Sequence, residues 1–86
     1  MSNAFQNAYD FAIEYVMDMS EARGEDLSET TIFLDAEQAL RDWDLYGPRR
    51  TGYKPEEYAL TDSQWYDCEQ AVQETAEARL WDKLTR

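Results

Sequence analysis

Residues 4–23 read AFQNAYDFAIEYVMDMSEAR and are followed by Gly24. Phe5, Ala8, Tyr9, Ala12, Ile13, Val16 and Met17 recur at steps of three and four, which places them on one side of an α-helix. Phe11, Tyr15 and Met19 widen that side along one flank, while Asp10, Glu14, Asp18 and Glu21 take the opposite face. Arg23 suits the negative end of a helix dipole, and Gly24 stands where a left-handed C-terminal cap belongs. A helix with one apolar side must bury that side against other elements. The rest of the chain therefore has to supply them.

Downstream, Asp26-Leu27-Ser28-Glu29 has the spacing of a capping box. Ile32, Ala36, Ala39, Leu40, Trp43 and Tyr46 then keep a helical period up to Gly47-Pro48, a strong stop signal. A second helix is expected over about 27–46. Thr30-Thr31-Ile32-Phe33, with its three β-branched residues, would also suit a short strand, but no second clear strand exists to pair with it, so helix is the reading adopted. Residues 47–61 form a connection punctuated by Gly47, Pro48, Gly52 and Pro55, in which Pro55-Glu56-Glu57-Tyr58 can make a single helical turn. Thr61-Asp62-Ser63-Gln64 is another capping box, opening a last helix over about 62–84. Its apolar stripe is Trp65, Cys68, Val72, Ala76, Leu80 and Leu84, flanked by Ala71, Ala78 and Trp81. The expected fold is all-α: a single acidic domain over 1–86 built as a small three-helix bundle.

Composition narrows the function. Nineteen acids against eight bases leave a net charge of −11, with no histidine. At 43% hydrophobic and 14% aromatic residues the chain is apolar enough to fold despite that charge. Direct nucleic-acid binding needs a basic stripe, and anionic membranes need one too; this balance has the wrong sign for both. No apolar run approaches the length of a transmembrane helix, and no signal peptide opens the sequence. Cys68, the sole cysteine, cannot close an internal disulfide, which fits a reducing, cytoplasmic setting. Without histidine there is no Ser-His-Asp or Cys-His catalysis and no His-containing zinc site.

The remaining chemistry is thin, and the expectation is a protein that is not an enzyme and holds no cofactor. Asp42-x-Asp44-x-Tyr46-Gly47 matches three positions of a calcium-binding loop, but Tyr46 and Tyr53 stand where carboxylates or amides are required. Glu74-x-x-Glu77 and Asp18-x-x-Glu21 could pair around magnesium, yet such spacings arise readily among 19 acids and read better as outer-face residues. Cys68 lies on an apolar stripe and reads as a buried, inert thiol.

Charge is unevenly placed. Residues 1–46 carry 11 acids and two bases, and residues 55–78 carry seven acids and no base. Residues 47–54 hold only the bases Arg49, Arg50 and Lys54. Helices ordinarily place Lys at i+4 to relieve like-charge repulsion of about 0.2–0.5 kcal/mol per pair. Here the first 46 residues supply Arg23 and Arg41 alone, which suggests that the negative field is selected. Its natural partner is a basic groove, and nucleic-acid-binding grooves are the commonest deep ones. Aromatic residues near the acids (Tyr15, Trp43, Tyr46, Tyr53, Tyr58 and Tyr66) would add short-range grip or simply pack the core.

This profile resembles the small acidic DNA-mimic proteins that phages use against host defence, the anti-restriction and anti-CRISPR inhibitors. The resemblance is one of class, carried by the short acidic chain, its aromatic-bearing helices and the lack of a catalytic motif. It implies stoichiometric inhibition of a basic nucleic-acid-binding protein of the host, in the host cytoplasm and often as a homodimer. The contact surface expected from the residues is Asp10, Glu14, Asp18, Glu21 and Glu25, with Asp42, Asp44, Glu74 and Glu77 as a second row. Arg49, Arg50, Tyr53 and Lys54 form a candidate contact loop that could also dock on a second copy or neutralise its own acidic neighbours. The alternatives are a helical adaptor or assembly protein meeting its partner through apolar and aromatic surface, or an antitoxin-like neutraliser of a basic toxin.

Overall fold

The computed structural model describes residues 4–24, 28–52 and 54–84, with backbone alone at 29, 46–51 and 84. The described residues form α1 (Ala4–Ala22), α2 (Glu29–Thr51), α3 (Pro55–Tyr58) and α4 (Asp62–Leu84). The all-α reading is correct, and no strand occurs among them. Thr30–Phe33 is helical, with Ile32 buried.

α1 and α2 run antiparallel. The Phe11 ring lies 5.4 Å from that of Trp43, and the Arg23 guanidinium, just past α1, forms a two-pronged pair with the Asp35 carboxylate. The short α3 crosses the open end of this pair, where Asn7 donates to the Glu57 carbonyl at 2.9 Å and the Trp43 indole N–H donates to the Tyr58 carbonyl at 3.0 Å. α4 then returns alongside α1, joined to it by a 2.6 Å bond between the Tyr9 and Thr75 hydroxyls.

Small side chains fill the centre. Ala8, Ala12, Ala36, Ala39 and Ala76 are fully buried, together with Val16, Leu40, Cys68 and Val72. Alanines at helix contacts let backbones approach closely. Larger side chains (Phe5, Tyr9, Phe11, Tyr15, Met17, Tyr58, Leu60 and Trp65) cover the seams, each half-buried.

The boundaries of the second helix differ from expectation at both ends. Ser28 is its N-cap: its Oγ faces the Thr31 N–H at 3.5 Å, and its carbonyl accepts from Ile32 at 3.0 Å. Asp26, the expected cap, lies outside the described residues. At the other end α2 runs through Gly47 and Pro48 to Thr51 rather than stopping at 46. Proline's fixed φ is compatible with helix, and its penalty is the N–H it fails to offer the carbonyl of residue 44. Asp44 is exposed, where water is at hand as the replacement donor. The true stop is Gly52, whose φ of +71° belongs to the left-handed region that ends helices. The expected 47–61 loop is thereby reduced to two short joints around α3.

At Thr61 the capping box is present in both directions: Gln64 N–H donates to Thr61 Oγ1 at 3.1 Å, and Thr61 N–H donates to Gln64 Oε1 at 3.0 Å. The stripe of α4 buries Cys68, Val72, Ala76 and Leu80 as expected, with Trp65 half-buried. The expected flank is wrong at Ala78 and Trp81, which are exposed. At 100° per residue they fall well over a quarter-turn from the centre of that stripe.

Ser20 and Cys68, both buried, bear on stability. The Ser20 hydroxyl is fully buried and has no hydrogen-bond partner among the described residues. An unsatisfied buried hydroxyl costs about 1–3 kcal/mol. Ser20→Ala is therefore expected to raise stability by ~1 kcal/mol in urea unfolding, and a loss of stability would mean the hydroxyl is bonded after all. Burial, and secondarily the Glu69 charge, push the Cys68 thiol up to about 12. The fold thus favours the protonated thiol, so its contribution is intact below the unfolded-chain value near 9 and is lost as pH rises from there towards about 12. Alkylation of Cys68 at mildly alkaline pH is expected to track global unfolding; rapid labelling of the native protein would contradict this.

Candidate partner-binding surface

The geometry of α1 separates its faces cleanly. Ala4, Ala8, Ala12, Ile13, Val16 and Ser20 are buried, and Asp10, Glu14, Asp18 and Glu21 are exposed on the far side. From Asp10 to Asp18 the helix rises ~12 Å, one carboxylate per turn or so. This is about half the axial charge density of a single DNA strand, which carries a phosphate every ~3.4 Å of rise. Gln6 donates to Asp10 at 2.8 Å, while Glu14, Asp18 and Glu21 have no hydrogen-bond or ion-pair partner among the described residues.

Two arginines are engaged elsewhere. Arg23 holds Asp35, a buried residue, and Arg41 pairs with Glu37 at 2.6 Å within α2. Neither draws on the α1 row. Asp35 is internal, and only the arrival of Arg23 from α1 makes its burial tolerable. Glu69 is a second such acid, buried and held by the Trp65 indole N–H at 2.6 Å.

The other expected contributors are scattered. Asp42 is half-buried at the α1–α2 seam, where it accepts from Gln38 at 3.0 Å and lies near the Tyr15 hydroxyl. Burial and then the nearby Asp42 charge hold the Tyr15 phenol above its ordinary value. Asp44, two residues on, is exposed and lies about 200° around the helix from Asp42, so the two do not form one row. On α4, Glu74 is exposed, while Glu77 is half-buried and accepts from Gln73 at 3.1 Å. Glu25 and Tyr53 lie outside the described residues. Arg49 and Arg50 belong to the last turn of α2 and are not loop residues, and Lys54 is the N-cap of α3. The expected contact loop is dissolved into helix ends.

The α1 row borders a groove that sequence reasoning did not anticipate. Between α1 and α4 lies an open hollow of about 330 Å³. Tyr9, Ile13 and Met17 line its apolar part, Asp10, Glu14 and Asp18 its acidic edge, and Arg79 stands across from them. No local signal links Arg79 to α1, because the two lie on opposite ends of the chain and meet only through the parallel return of α4. Four large apolar side chains are also more than half exposed: Leu34 and Leu45 on α2, Tyr66 and Trp81 on α4.

Among the described residues no cluster of three or more acidic or thiol groups is placed to hold a metal ion. Asp42 and Asp44 sit within regular helix. No described helix is long and apolar enough to cross a membrane. Comparison of the chain with models of protein families, with curated proteins and with solved structures gives no match.

Proposed function

We propose that the protein is a non-enzymatic inhibitor that sets the acidic face of α1 in the basic groove of a nucleic-acid-binding protein, where its carboxylates stand in for phosphates. The observation that carries this reading is the α1 row itself: Asp10, Glu14, Asp18 and Glu21 exposed together, with the last three unpaired. Rigid, outward carboxylates with no ion pair among the described residues form a steering field for a basic partner. Inhibition is by occlusion, without turnover.

The test is competition. Immobilised protein is incubated with purified basic nucleic-acid-binding proteins at low salt, and duplex DNA is titrated in. Under this reading bound protein is released by DNA and by salt, with a steep dependence between low and physiological ionic strength. Retention that ignores both would refute it. The exposed Leu34, Leu45, Tyr66 and Trp81 favour a second reading, an adaptor docking through apolar surface. Binding of that kind would persist as salt is raised.

A further inference from the structure

We infer that the α1–α4 groove is a socket for a single arginine side chain of the partner. This rests on the reading above and names what the acidic face grips at short range. A volume of about 330 Å³ is at the lower end of ligand-pocket sizes, fit for one side chain and too small for a helix or strand.

The lining selects among cations. Tyr9 and Met17 offer an aromatic ring and a polarizable thioether, both half-buried, and Tyr9 is pinned to Thr75. A guanidinium is planar and weakly hydrated, so it stacks on such surfaces while its edge donates to carboxylates. Asp10, Glu14 and Asp18 provide those acceptors along the rim. A lysine ammonium would feel the same negative field but is compact and strongly hydrated, and it gains little from the apolar floor. Arg79 tempers the field: it lines the groove and makes no ion pair among the described residues. Its charge opposes an incoming cation, so the native groove is weaker than its three carboxylates alone would make it.

The experiment compares an oligolysine peptide with the same peptide carrying one central arginine, by NMR titration of the intact protein at low salt. The arginine peptide is expected to bind about threefold more tightly, with shifts at Tyr9, Ile13, Met17 and Arg79. Met17→Ala is expected to bring the two peptides to parity. Arg79→Gln, at an exposed position, is expected to tighten both by about threefold. Equal affinities in the native protein, shifts confined to the outward carboxylates, or no gain from Arg79→Gln would overturn the socket while leaving the acidic-face reading standing. If neither peptide binds at low salt, the acidic face itself fails as a cation-binding surface and both readings fall together.

Discussion

Exchange of Asp10, Glu14 and Asp18 for Lys is expected to weaken binding to a basic partner by at least about a hundredfold at low salt and to flatten its salt dependence. Each exchange adds two charges, so three of them move the net charge from −11 to −5. The effect should exceed that of the total charge, because it reverses the sign of an exposed row that makes no ion pair among the described residues. The fold should be indifferent. All three positions are exposed, and the one bond lost is the surface contact from Gln6. Neighbouring like charges are exchanged for neighbouring like charges, so the helix changes in stability by less than ~1 kcal/mol. Circular dichroism and binding measured on the same sample separate the two effects. Undiminished inhibition by a folded triple variant would show that another surface makes the contact.

Trp43→Ala is expected to cost about 3–5 kcal/mol, the range for deleting a buried aromatic side chain. A chain of this size has a total stability of roughly 4–13 kcal/mol, so the variant should melt roughly 12–40 °C below the parent. Trp43 sits where three elements meet. It is buried, its ring packs on Phe11 of α1, and its indole N–H is the donor that ties α2 to the α3 carbonyl of Tyr58. Five of the thirteen core residues are alanines, too short to reach into the vacancy unless helices move. Trp43→Phe keeps most of the volume but leaves the Tyr58 carbonyl without its donor, for an expected loss of about 1–3 kcal/mol. If Trp43→Ala melted within a few degrees of the parent, the junction of α1, α2 and α3 would have to be held by other contacts.

The α1 row follows from spacing alone, since Asp10, Glu14 and Asp18 recur at helical steps opposite an apolar stripe. The same spacing puts Trp43 on a buried stripe, but its bond to Tyr58 depends on α3 folding back across the helix ends. The misplaced end of α2 has a simple cause. Gly47-Pro48 and Gly52 both signal termination, and local sequence does not say which glycine adopts a positive φ. Once Gly52 takes that role, Arg49 and Arg50 become helical residues and the basic loop disappears.

What periodicity and charge order settled in advance was the helical class, the buried face of each long helix and the outward acids of α1. These depend on interactions within a few residues, where a 3.6-residue repeat is decisive. Pairing between distant segments was beyond their reach. The burial of Asp35 under Arg23, the seclusion of Glu69, the turning of Asp42 towards Tyr15 and the groove between Tyr9 and Arg79 all arise from how helices pack side by side. An acid three residues from another looks the same in a string of letters whether it meets water or an arginine from across the bundle. Packing alone makes that choice, because the desolvation of a carboxylate is tolerable only where a partner arrives to meet it.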